Sequence, residues 1–237
     1  DLNKEFSSNK IKLINYTKEP ERVIAAAARL CYSERSGEDL FENLSDEEVK
    51  KLVKNILNLG HYSVLEHVSF TFSISGISRV TTHQLVRHRV GCSYSQRSQR
   101  YIKEDNFDYI IPPSIQERPE LLEKYNETME NLNNLYEDFA QVVPKEAARY
   151  LLPQAIESKI MVTYSLRALL HFIKLRTCRR AQWEIQTLAW KMLKEAKQVA
   201  PLLLENVGPA CLNGNCPEGK LSCGRPYTKE DIDSLII

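Results

Sequence analysis

The chain has 237 residues, 43% hydrophobic and 27% charged, with 32 basic and 31 acidic side chains and a formal net charge of +1. That length supports one large core, read as a single domain, and the charge balance lacks the excess of a protein that coats nucleic acid, so any anion binding must be local. No apolar run approaches the ~20 residues of a membrane span, and the opening DLNKEFSSNK has no apolar core of a signal peptide, so the chain reads as cytoplasmic, with no membrane partner.

In chain order, residues 11–17 (IKLINYT) read as a strand, and PERVIAAAARLCY reads as a helix with Pro20 in its first turn. Ser45 and Glu48 form a capping-box pattern, Val49, Leu52, Val53, Ile56 and Leu57 share one helical face, and Gly60 stands where that helix stops. HVSFTFSIS then alternates, with Val68, Phe70, Phe72 and Ile74 facing one way, as a half-buried strand does. Residues 77–87 fit a helix, and FDYIIP fits a strand stopped by Pro112 and Pro113. A long helix is expected over 119–142, with Leu122, Tyr125, Met129, Leu132, Tyr136 and Phe139 in one stripe. A short helix ended by Pro153, a weakly alternating strand ESKIMVTYS, and helices over 166–176 and 181–200 complete the regular part. Without a βαβ rhythm or a Gly-rich phosphate fingerprint, the mixture favours an α+β fold. The tail from Asn206, rich in Gly, Pro and Cys, is expected to be irregular.

The chemistry concentrates in two acid-free zones. One lies between Glu66 and Glu104 and contains RHRVGCSYSQRSQRY, residues 87–101, with four arginines and a histidine in fifteen residues. The other runs over 158–183 with Lys159, Arg167, Lys174, Arg176, Arg179 and Arg180. Either the fold brings carboxylates from elsewhere or phosphorylated ligands belong there. Arginine can grip phosphate bidentately while stacking on flat rings, and Ser93, Ser95, Gln96, Ser98 and Gln99 add a dense donor set. Interleaved Arg and Tyr also fit an RNA-binding module, which the neutral charge and missing module motif count against. His61 and His67 lack metal-site spacing, so hydrogen-bonding roles are expected of them. Cys211, Cys216 and Cys223 are not in paired CxxC spacing, so thiols are expected and no metal. Cys92, among cations that lower a thiol pKa, is open as a nucleophile.

GHYSVLEHVSFTF, QLVRHRVGCSYSQRSQRY, PKEAARYLLP and SLRALLHFIKLRTCRRAQWEIQ, in this order, resemble the flavin-dependent thymidylate synthases. The resemblance implies a mainly antiparallel twisted sheet flanked by helices and a homotetramer with active sites between subunits. It also implies FAD as cofactor, with dUMP, methylenetetrahydrofolate and NADPH as partners and no nucleic acid. Residue by residue, it implies FAD contacts from Ser63, Glu66, Arg87, His88, Arg89, Gln96, Arg167 and His171, with His61 close by. It implies dUMP contacts from Gln84, Arg87, Gln96, Arg97, Ser98, Gln99, Arg100, Arg149 and Arg176. Arg176 matches the catalytic arginine, which favours the ionised pyrimidine and makes its C5 a better nucleophile. The family has seven residues between RHR and its serine; eight separate Arg89 from Ser98, which puts an extra residue around Val90–Cys92. In that family no enzyme cysteine serves as nucleophile. A flavoprotein oxidoreductase without methyl transfer is the alternative use of the same pocket.

Overall fold

A computed structural model describes residues 9–214 and 216–236. The start of the segment read against a signal peptide, residues 1–8, lies outside them. The regular elements are β1 (Lys10–Tyr16), α1 (Pro20–Leu30), α2 (Gly37–Asn43), α3 (Asp46–Leu59), β2 (Ser69–Ser78), α4 (Arg79–Leu85) and β3 (Cys92–Gln96). They continue as α5 (Pro113–Gln116), α6 (Pro119–Val142), α7 (Lys145–Ala148), β4 (Glu157–Ser165), α8 (Leu166–Arg176), α9 (Trp183–Lys197) and α10 (Lys229–Ile236). The strands form one sheet in the order β1-β2-β4-β3. It is antiparallel: Arg97 donates its backbone N–H to the Lys159 carbonyl, whereas Ser165 at the other end of β4 donates to Gly91. The α+β reading holds, with helices flanking the sheet.

The chain divides into two compact units. Of the described residues, the first comprises 9–10, 74–87 and 94–161, and the second 11–73, 88–93, 162–214 and 216–236. In the second unit, α3 starts on the expected capping box, Ser45 accepting from the Glu48 N–H while the Glu48 carboxylate accepts from the Ser45 N–H. It stops at Gly60, whose φ of 71° is left-handed backbone that glycine adopts without steric cost. Its apolar face, Val49, Val53 and Ile56, is buried, and α1 packs against α3 while burying Ile24, Ala25 and Ala26. Phe70 and Phe72 of β2 are fully buried, as alternation requires, and burying each side chain is worth about 1.5–3 kcal/mol. Tyr164 of β4 stacks on Phe172 of α8 with ring centroids 5.5 Å apart.

In the first unit, a core of Phe107, Met129 and Ile156 collects Tyr109, Tyr125, Leu132, Leu152 and Ala155 around it. Of the α6 stripe, Met129 and Tyr136 are buried and Phe139 is exposed.

Three expectations need correcting. FDYIIP is no strand: an isolated bridge joins Tyr109 to Ile156, and Ile110 donates to the Ala155 carbonyl. Pro112 and Pro113 then end the pairing because neither has an N–H to donate. The helix expected over 77–87 is only α4, because β2 runs on to Ser78, whose hydroxyl caps α4 by accepting from the Thr81 N–H. Finally, the tail carries the helix α10 as well as 3-10 turns at Ala210–Asn213 and Gly219–Leu221.

Candidate active site

In the second unit the site is built on α8 and the turn at residues 88–91. Ser165 caps α8 by accepting from the Ala168 N–H, and its own N–H donates to the Gly91 carbonyl at 2.8 Å. Gly91 has φ 70°, and a Cβ there would stand 2.5 Å from the Ser165 hydroxyl and 3.2 Å from Ala168. Only glycine lets the turn lie this close to the start of α8. Positions 167 and 171 are one helical turn apart, so Arg167 and His171 share a face of α8, and both are exposed. The 3-10 turn Tyr62–His67 packs against α8 and carries exposed Ser63 and Glu66; exposed His61 precedes it. Glu66 accepts from Arg167 at 2.7 Å.

At the far end of α8, the Arg176 Nε–H donates to His88 Nε2 at 3.0 Å. His88 sits edge-on to Phe172, centroids 5.1 Å apart, and 6.0 Å from the His171 ring. Burial pushes the His88 pKa down to about 4, with the Arg176 charge and then His171 adding to the effect. The imidazole is therefore neutral at pH 7 and offers Nε2 as a lone-pair acceptor. Arg89 is exposed.

In the first unit, Gln84 is partly buried on α4, and Arg87 is exposed just beyond it. The Gln96 amide donates to Thr82 Oγ1 at 3.2 Å and Ser158 Oγ at 2.9 Å. Ser98 Oγ accepts from the Arg100 N–H, and Gln99 is buried. Arg149 lies on the 3-10 turn Arg149–Leu151, and the Arg79 guanidinium is held below its usual range by burial and then by the Arg149 charge.

Several cations read as lacking carboxylates have them. Arg97 pairs at 3.0 Å with Glu104, whose side chain is only 5% exposed, and Arg100 pairs with Glu146 at 2.6 Å. Lys103 pairs with Asp105, Arg167 with Glu66, and Arg179 with Asp231. Thus Glu66 and Glu104, the acids that bound the first zone, each hold one of the arginines. Burial raises the Glu104 carboxyl pKa more than Arg97 lowers it. Among the described residues, Arg87, Arg89 and Arg149 have no carboxylate in ion-pair range. Sequence reading missed Glu104, Glu146 and the glutamines at the turn after Arg176. The Gln182 side chain caps α9, and Gln186 donates to the carbonyls of Thr177 and Cys178. A polar residue directly before an apolar helical pattern was the mark available for Gln182.

Cys92 is partly buried, its thiol directed at the Val90 carbonyl. Among the described residues no group of His, Cys, Asp and Glu is arranged to hold a metal, and no helix is long and apolar enough to cross a membrane.

The family described as Thymidylate synthase complementing protein matches residues 12–202. A flavin-dependent thymidylate synthase of Clostridium tetani is 47% identical, over 94% of this chain and 96% of its own. This chain belongs to the flavin-dependent thymidylate synthases. A family member from Geobacter sulfurreducens is also 47% identical, over 91% of this chain and 94% of its own. Among solved structures, a UMP/dUMP methylase of Streptomyces cacaoi bound with 5-Br dUMP matches with a TM-score of 0.71 at 25% identity, covering 84% of this chain and 94% of that one. As a family member, this enzyme depends on a flavin.

Proposed function

We propose that this chain converts dUMP to dTMP by reductive methylation, taking the carbon from methylenetetrahydrofolate and the hydride from FAD that NADPH has reduced, in a homotetramer with active sites between subunits. The observation that carries the reading is the 47% identity to a flavin-dependent thymidylate synthase over 94% of the chain. The 5-Br dUMP bound to the similar methylase supports a uridylate as substrate. Putting a methyl group on uracil C5 requires a hydride, which no side chain can donate; a bound flavin supplies it.

The residues fit such a group. Ser63, Arg87, His88, Arg89, Arg167 and His171 would hold FAD, with Glu66 and His61 nearby. Arg89 and Arg167 offer exposed guanidinium groups, the donors that suit a pyrophosphate. The Glu66–Arg167 pair is half-exposed, and such pairs are worth about 0–1 kcal/mol, so phosphate oxygens can replace the carboxylate at little cost. The partly buried Gln96, whose amide nitrogen already serves Thr82 and Ser158, is the most constrained member of the cofactor set.

Gln84, Arg87, Gln96 to Arg100, Arg149 and Arg176 would bind the nucleotide. Arg100, on an exposed pair, is free to trade Glu146 for phosphate, whereas Arg97 is tied to buried Glu104 and lends its charge from a fixed position. Arg176 would stand against the pyrimidine and favour its ionised form. Neutral His88 suits that task, because it orients the guanidinium without adding a carboxylate that would cancel its charge.

The test is a reconstitution. Purified protein should bind one FAD per subunit and form thymidylate only when dUMP, the folate donor and NADPH are all present. Protein that cannot be reconstituted with FAD, or product formed without the folate donor, overturns the reading.

A further inference from the structure

Arg176 is the last residue of α8, so the direction of its guanidinium depends on how the turn to α9 is held. On one side the turn is held from within. The Thr177 hydroxyl donates to the Ile173 carbonyl at 2.7 Å, and Gln186 Nε2 donates to the Cys178 carbonyl at 2.6 Å. On the other side it is held by the tail. Arg179 Nε donates to the Arg225 carbonyl at 3.0 Å, its Nη2 reaches the Asp231 carboxylate at 3.2 Å, and its guanidinium lies 3.8 Å over the Tyr227 ring. The receiving side is itself fixed. Tyr227 is 5% exposed and packs edge-on against Trp190 of α9, while Thr228 and Asp231 cap one another reciprocally at 3.0 and 3.1 Å. Arg180 adds a bond to the Leu221 carbonyl. Arg225, Tyr227 and Asp231 lie beyond residues 12–202 matched by the family description.

We propose that Arg179 is a positioning residue for Arg176, acting by clamping the tail across the α8–α9 turn so that the Arg176 guanidinium stays on His88. Three contacts of different kinds, to a carbonyl, a carboxylate and a ring face, fix a planar group in position and rotation together. Lysine, a point charge, could satisfy one of them at a time. The inference rests on the proposed function only for what Arg176 does to the pyrimidine; the clamp itself can be read without it.

The experiment follows the His88 imidazole by NMR titration in the full chain, in Arg179→Ala, in the milder Tyr227→Leu and in Tyr227→Phe, with Arg176→Ala as reference. Loss of the neighbouring guanidinium raises the His88 pKa in Arg176→Ala. The same upward shift is expected in Arg179→Ala and Tyr227→Leu, while Tyr227→Phe, which keeps the ring, titrates as the native protein does. In turnover assays kcat should fall roughly 10–100-fold in Arg179→Ala at unchanged flavin content, the scale of a displaced catalytic group. The loss should not multiply with that of Arg176→Lys in the double variant. Native titration of His88 in the folded Arg179→Ala or Tyr227→Leu proteins, or multiplicative losses, overturns the proposal. If the native protein makes no thymidylate, the proposed function fails, and the His88 titration alone decides the clamp.

Discussion

Arg176 and His88 share one hydrogen bond in which the guanidinium is the donor and the imidazole the acceptor, Nε to Nε2 at 3.0 Å. It requires a neutral histidine, since protonated His88 would turn a second N–H towards Arg176 and add a like charge. Burial and the Arg176 charge both favour the neutral form. Arg176→Ala should therefore nearly abolish thymidylate formation while leaving the flavin absorbance spectrum largely intact. Retained turnover in that variant would remove the role assigned to Arg176.

The same pair makes stability depend on pH. The folded pKa of His88, about 4, lies below its ordinary 6.5, so between these values the unfolded chain binds more protons and stability falls as pH falls. Allowing for the half-burial of the ring, the loss from pH 7 to pH 5 should be about 1 kcal/mol. Urea unfolding of native and His88→Gln proteins at the two pH values measures it; the variant should lose less on acidification, and equal losses would refute the assignment.

Gly91→Ala should destabilise the chain by about 2 kcal/mol, combining left-handed backbone for a residue with a Cβ and a disturbed Ser165 cap. The new methyl would lie 2.5 Å from Ser165 Oγ, so the hydroxyl has to leave the Ala168 N–H it accepts from. Thermal unfolding compares this variant with Gly214→Ala, where φ is 144° and nothing stands within 4 Å of the new Cβ, so that only backbone strain is felt.

Two ion pairs at neighbouring arginines should respond very differently to loss of their acid. Glu104→Ala leaves Arg97, 29% exposed, beside a carboxylate-shaped gap and should cost about 2 kcal/mol, below the 3–5 of a fully buried pair because of that exposure. Glu146→Gln breaks an exposed pair with Arg100 and should cost under about 1 kcal/mol. Chemical denaturation of both variants, repeated at high salt, checks the contrast; only the Arg100–Glu146 contribution should fade with salt.

Local rules made much of this fold legible. The Ser45–Glu48 box, the alternation from Val68 to Ile74 and the limits of α8 all follow from patterns spanning a few residues. Pairing across long separations was not legible. Glu66 lies 101 residues from Arg167, so counting nearby acids overstated how bare the arginines are. The strand expected at FDYIIP had the right composition but only a single bridge to bond to. The tail was judged on Gly, Pro and Cys content, which concealed a helix whose start is capped by Thr228 and Asp231. The site residues came from motif resemblance, and their electrostatics, above all a neutral His88, came from burial that no motif records.

The two units are each assembled from separated stretches of the described chain, residues 11–73, 88–93, 162–214 and 216–236 in one and 9–10, 74–87 and 94–161 in the other. During synthesis this imposes a wait. Leu13 donates to the Glu195 carboxylate 182 positions later, so this residue of β1 leaves the ribosome long before its partner exists. At roughly 5–20 residues per second, that gap is on the order of ten to forty seconds. Nor can either unit be expressed as one uninterrupted fragment, so dissecting the enzyme calls for point substitutions rather than truncation.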